Sequence, residues 1–123
     1  MRALVVDDSA AMRAILRIVL KRQGFEVLEA KQGHDALSVL LESEHIDLIL
    51  IDWNMPEMNG FELLQRVRRD PDYDCTRVMM VTTETSLDQM SIALLEGANE
   101  YMMKPFDEEA LNEKLAMIGL AEV

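Results

Sequence analysis

The sequence predicts an α/β fold, a doubly wound (βα)5 sandwich built on a parallel sheet, and three observations carry that prediction. Four apolar runs, Ala3-Leu4-Val5-Val6, Leu48-Ile49-Leu50-Ile51, Val78-Met79-Met80-Val81 and Tyr101-Met102-Met103, each end on a polar residue. Apolar residues at helical spacing follow every run, so strand and helix alternate along the chain. The run at Leu48 is apolar at successive rather than alternate positions, the pattern of a central strand covered on both faces.

The elements follow in order. After the first strand, Met12, Ile15, Leu16, Val19 and Leu20 form one apolar stripe of a helix that Ser9 can cap and Gly24 can end. A short strand over residues 26–29 leads to a turn at Gln32-Gly33, and Ala36, Leu37, Leu40 and Leu41 mark the second helix. The third strand is followed by a turn over residues 54–60, in which Asn59 and Glu62 have capping-box spacing before a helix carrying Leu63, Leu64 and Val67. Pro71 breaks that helix, and the fourth strand runs over residues 77–81. Met90, Ala93 and Leu94 mark the fourth helix, closed by Gly97. Asp107-Glu108-Glu109 places negative charge on the first turn of a fifth helix, whose buried stripe is Leu111, Leu115 and Ile118.

A chain of 123 residues suits one domain over residues 1–123, large enough to bury a core without disulfides or a structural metal. The net charge of -11 has the wrong sign for gripping phosphate backbones, so nucleic acid is not an expected partner. Arg66, Arg68, Arg69 and Arg77 read as a solvated helix face rather than a nucleic-acid patch. Cys75 is the one cysteine, His34 and His45 are isolated, and no stretch approaches the ~20 apolar residues of a membrane span. The expectation is a cytoplasmic protein with no membrane insertion.

Function is written at the strand ends. Asp7, Asp8, Asp52, Thr82 and Lys104 all stand where a strand leaves the sheet, and parallel sheets bind ligands outside the carboxyl ends of their strands. Three carboxylates and one ammonium leave such a site at about -2, and an oxygen-only donor set of that charge suits Mg²⁺. Asp8 and Asp52 are the expected ligands, with Asp7 direct or through water and the backbone carbonyl of Asn54 at hand. Asp52, ending the most apolar strand, is the candidate nucleophile for phosphoryl transfer; Thr82 and Lys104 can each contact a phosphoryl oxygen.

Asp7-Asp8, Asp52-Trp53-Asn54-Met55-Pro56, Thr82 and Lys104-Pro105 together resemble the signature of two-component response-regulator receiver domains, and the resemblance spans the chain. Within that family, Asp52 to Pro56 and Glu100 to Pro105 are most similar to single-domain chemotaxis regulators. The resemblance implies a flavodoxin-like sheet of order 2-1-3-4-5, a cis Lys104-Pro105 bond and a bacterial phosphorelay role. In that role Asp52 takes a phosphoryl group from a phosphohistidine on a sensor histidine kinase or phosphotransfer domain. It further implies that the chain catalyses its own phosphorylation and autodephosphorylation without being a conventional enzyme. Asn54 and Glu84 match positions that tune the hydrolysis, and Thr83 fills a place often held by Ala or Gly.

On sequence alone, Tyr101 reads as an aromatic at the sheet edge with its hydroxyl in water. The resemblance instead implies that Thr82 moves toward the phosphoryl group and Tyr101 turns into the vacated space, altering a surface on helix four, strand five and helix five. Leu87, Met90, Leu94, Tyr101, Met103, Phe106 and Lys114 are the expected partner-contact residues there. The implied partners are a downstream target such as the flagellar motor switch and a phosphatase, acting on a monomer without an effector domain. A phosphorelay intermediate or phosphate sink outside chemotaxis is the alternative. A Mg²⁺-dependent phosphatase is disfavoured because its Asp-x-Asp pattern is replaced here by Asp52-Trp53-Asn54, and a nucleotide carrier because no Gly-rich phosphate loop is present.

Overall fold

The computed structural model describes residues 1–83 and 87–121. Five strands, β1 (Arg2–Val6), β2 (Glu26–Ala30), β3 (Leu48–Ile51), β4 (Arg77–Thr82) and β5 (Glu100–Met103), pair in parallel in the order β2-β1-β3-β4-β5. Helices α1 (Ala10–Arg22), α2 (Gly33–Glu42), α3 (Gly60–Arg69), α4 (Leu87–Glu96) and α5 (Glu108–Met117) alternate with them, which is the flavodoxin-like topology.

Strand periodicity sorts the core into two layers. Leu4, Val6, Ile49, Ile51, Val78, Met80 and Tyr101 face α2, α3 and α4, whereas Ala3, Val5, Leu48, Leu50, Met79, Val81 and Met102 face α1 and α5. Alternate residues of one strand thus serve opposite layers, which is why β1, β3 and β4 needed unbroken apolar runs. Register is set where the layers meet: Val6 lies between Ala30 and Ile51, so the residues after β1 and β3 leave the sheet side by side.

Local signals end the helices as their chemistry dictates. Ser9 Oγ accepts from Met12 N and Asp107 accepts from Ala110 N, while Asn59 and Glu62 complete a capping box. Gly24, at φ +91°, closes α1 with its own N–H on Lys21 O and that of Phe25 on Leu20 O, a Schellman pair that needs left-handed backbone. The Lys104-Pro105 peptide is cis.

Two expectations change. Ile15 and Leu41 lie at the margins of their stripes and are exposed, because Leu16 and Leu40, one residue away, take the inward position. On α4 the inward residues are Met90 and Ala93, and Leu94 faces solvent, in keeping with its expected place on the partner-contact surface. Arg68 is not part of a solvated face: its guanidinium donates to Gly97 O, Tyr73 O, Thr76 O and Asn99 Oδ1, tying α3 to the chain on either side of β4. Arg77 likewise donates to Cys75 O and Ile118 O. Burial holds the Arg68 guanidinium below its ordinary range, with Asp74 opposing that shift and Arg77 adding to it.

Candidate functional site

The site lies at the carboxyl ends of β1, β3, β4 and β5. Asp7 follows β1 and Asp52 follows β3, and both are buried, while Asp8 is exposed at the mouth. One carboxylate oxygen from each of the three lies within 4.8 Å of the others. Lys104, just beyond β5, reaches across with its Nζ 2.8 Å from Asp7 Oδ2 and 3.6 Å from Asp52 Oδ2. Its own backbone N–H donates to Thr82 O, which sets Lys104 beside the buried end of β4. Thr83 is exposed, and Glu84 lies outside the described residues.

The loops that carry these groups are held by backbone geometry. Ser9 serves twice, its hydroxyl capping α1 and its N–H donating to Asp7 Oδ1 at 2.8 Å. Asp52 Oδ1 accepts from Asn54 N at 3.3 Å, a short turn that folds the carboxylate back over its own loop. Gly60 closes that loop, donating from its N–H to Trp53 O; a Cβ there would stand 2.2 Å from Asp52 O, so only glycine lets α3 start against the acid. The Trp53 ring stacks on Phe61 of α3, with centroids 5.4 Å apart.

The electrostatics express crowding. Burial holds the Asp52 carboxyl above its ordinary range; Asp7 and Asp8 push the same way, and Lys104 and the Asn54 N–H pull against them. One ammonium shared by two carboxylates does not neutralise three acids. This is a set of hard oxygen donors with surplus negative charge, and it fits Mg²⁺. Both oxygens of Asp7 are already engaged, by Ser9 and Lys104, whereas Asp8 carries no hydrogen bond or ion pair among the described residues.

Tyr101 stands on β5 at the edge of the sheet, as expected, but it is buried, 5% exposed, in the layer shared with Met80, Ala93 and Ala98, so its reading as a water-exposed aromatic is corrected. The remaining partner-contact residues are divided. Leu87, Leu94 and Met103 are exposed, Met90 packs on the α3 side of the sheet and Phe106 on the α5 side, and Lys114 Nζ pairs with Glu100 Oε1 at 3.1 Å. Sequence reasoning passed over Gly60, whose Asn-Gly signal reads as a turn but whose contact with Asp52 O is tertiary, and Arg13, which reaches the Asp7 carbonyl.

Residues 3–116 match the response regulator receiver domain. The chain is 45% identical over 116 residues to the chemotaxis protein CheY homolog of Campylobacter jejuni, covering 94% of this chain and 89% of that protein. It is 42% identical over 119 residues to chemotaxis protein CheY1 of Helicobacter pylori, covering 96% of each. The solved chemotaxis response regulator CheY4 of Vibrio cholerae superposes with a TM-score of 0.88 at 36% identity, covering 95% of this chain and 97% of that one.

Proposed function

This chain belongs to the response regulator receiver family of two-component systems, and from that premise we propose that it is a phosphorylation-driven switch whose phosphoacceptor is Asp52. Residues 1–123 work as one receiver unit. The observation that carries the reading is the placement of Asp52: a buried carboxylate beside two other acids, with Lys104 near enough to follow a change of charge at either Asp7 or Asp52.

Asp8 and Asp52, with Asp7 direct or through water and the Asn54 backbone carbonyl, are the residues that would hold Mg²⁺. When bound, the ion supplies positive charge against which phosphoryl oxygens can be placed. An Asp52 carboxylate oxygen forms the new bond to phosphorus as the phosphorus–nitrogen bond of a kinase phosphohistidine breaks, and the departing imidazole leaves neutral with uptake of one proton. Lys104 pairs with one phosphoryl oxygen and the Thr82 hydroxyl donates to another. Hydrolysis by water returns Asp52 to the carboxylate, with Asn54, Thr83 and Glu84 setting the lifetime.

Thr82 and Tyr101 then carry the change outward to α4, β5 and α5, where Leu87, Leu94 and Met103 offer exposed apolar contacts for a protein target. The curated relatives are named as chemotaxis proteins, and we extend that role to this chain, with the flagellar motor switch as target and a phosphatase as a further partner.

Trp53, beside the acceptor, supplies the test. Its fluorescence is expected to respond to Mg²⁺ and again to a small phosphodonor such as acetyl phosphate, the second response vanishing in Asp52→Asn. A phosphodonor response that survives Asp52→Asn overturns the assignment. Pull-downs of phosphorylated and unphosphorylated protein against a flagellar switch component test the chemotaxis role.

A further inference from the structure

Arg13, on the second turn of α1, folds back over the start of its own helix, and its Nη1 donates to the main-chain carbonyl of Asp7 at 2.7 Å. Its Nε donates to Glu29 Oε1 on β2 at 3.3 Å, and the second Glu29 oxygen is held by Arg17 Nη1 at 2.6 Å. The Arg13 side chain is 17% exposed, so this contact is largely shielded from water.

The Asp7 carbonyl belongs to the peptide that joins Asp7 to Asp8. On one side of Asp7, its N–H donates to Ala30 O; on the other, its carbonyl accepts from Arg13. The first bond holds the preceding Val6–Asp7 peptide, and the second restrains the plane of the Asp7–Asp8 peptide itself and with it the position of the Asp8 Cα from which the carboxylate side chain departs. Asp7 has other constraints, since Ser9 N and Lys104 Nζ hold its carboxylate. Asp8 has none among the described residues, so the orientation of its peptide is what aims it.

We propose that Arg13 is a positioning residue for the metal site, setting the aim of the Asp8 carboxylate through the Asp7–Asp8 peptide. This rests on the reading of Asp7, Asp8 and Asp52 as the Mg²⁺ site. Glu29 Oε1 holds the Arg13 guanidinium in turn, while Arg17 binds the other Glu29 oxygen and leaves the Arg13–Asp7 contact to Arg13.

Sign separates this role from a plain charge effect. A guanidinium near three carboxylates repels a cation, so an Arg13 acting only through its charge weakens Mg²⁺ binding, and its removal tightens it. A positioning Arg13 does the opposite: Arg13→Met weakens Mg²⁺ on the order of tenfold, as loss of outer-sphere partners of metal ligands does. Arg17→Met removes the same charge one turn further on without touching Asp7, and is expected to leave affinity unchanged or slightly tighter.

The experiment is a Mg²⁺ titration of Trp53 fluorescence in wild type, Arg13→Met, Arg13→Lys and Arg17→Met, with thermal melts in EDTA to establish that each variant folds. Weaker binding in Arg13→Met, partial recovery in Arg13→Lys and no loss in Arg17→Met support the proposal. Equal or tighter binding in a folded Arg13→Met overturns it, as does an equal loss in Arg17→Met. If Arg13→Met does not fold, Arg13→Lys against Arg17→Met decides on the same criterion. Absence of any Mg²⁺ response in wild type instead defeats the reading of the site itself.

Discussion

Helices α3 and α4 have the same length, lie on the same face of the sheet and touch one another, yet they are held in different ways. Of its ten residues α3 buries Gly60, Leu63, Leu64 and Val67; it begins in a complete capping box, and Arg68 near its end clamps carbonyls beyond it. Of its ten α4 buries Ala93 alone, while Leu87, Ile92, Leu94 and Leu95 stand in solvent. A buried leucine contributes about 1.5–3 kcal/mol over an exposed one, so α3 is pinned by several such terms that α4 lacks. The helix that starts against Asp52 O is the rigid one, and the helix beside Tyr101 is the one with little to lose by moving. A switch needs that asymmetry, a fixed site coupled to a shallowly held reporter.

The largest test of the contrast is Leu64→Ala, which empties a fully buried position on α3 and is expected to cost about 2–5 kcal/mol in urea unfolding. A cost under about 1 kcal/mol would mean that α3 is not the anchor described. Next comes Gly60→Ala, where the added methyl meets the Asp52 carbonyl; overpacking of this kind costs about 1–3 kcal/mol. Because the clash falls on the loop after Asp52, the Mg²⁺ response of Trp53 fluorescence is expected to weaken with it. An unchanged Mg²⁺ response beside a normal melt would show that the loop has slack the geometry denies.

Much of this was legible beforehand, for identifiable reasons. The unbroken run Leu48–Ile51 announces a strand covered twice, and Asp7, Asp8, Asp52, Thr82 and Lys104 announce a shared edge because parallel strands all finish on the same side. What stayed hidden depends on partners distant in sequence. Tyr101 is buried in the layer that also holds Ala93 and Ala98, whose small size carries no signal of its own. Arg68 reads as surface charge until its carbonyl acceptors are known.

The third test concerns the cost that α3 helps to contain. With its carboxyl held above the ordinary range by burial, Asp52 binds its proton more tightly in the folded than in the unfolded chain. The contribution of Asp52 to the stability of the metal-free protein is therefore fully present below the ordinary carboxylate range and is lost as pH rises through the folded value. Asp52→Asn removes that dependence. In EDTA the variant is expected to unfold at higher urea than wild type at neutral pH, with the gap closing as the pH is lowered, and added Mg²⁺ should stabilise wild type far more than the variant. A variant less stable than wild type at neutral pH would show that contacts to the Asp52 carboxylate outweigh its crowding.

The smallest expected effect is the most direct probe of α4. Leu95 is 88% exposed, so Leu95→Ser removes little buried area and should change unfolding free energy by no more than about 0.5 kcal/mol, an order below Leu64→Ala. The slight loss of helix propensity on going from Leu to Ser, a few tenths of a kcal/mol, acts in the same direction. A loss above about 1 kcal/mol would mean that α4 makes contacts from its outer face and that the two helices are held alike. If the loss stays small, binding of the phosphorylated chain to a flagellar switch component becomes the informative measurement for Leu95→Ser, because stability and fold are then the same on both sides of the comparison. Weakened binding with unchanged phosphorylation of Asp52 would place the residue on the output face; undiminished binding would confine that face to Leu87, Leu94 and Met103.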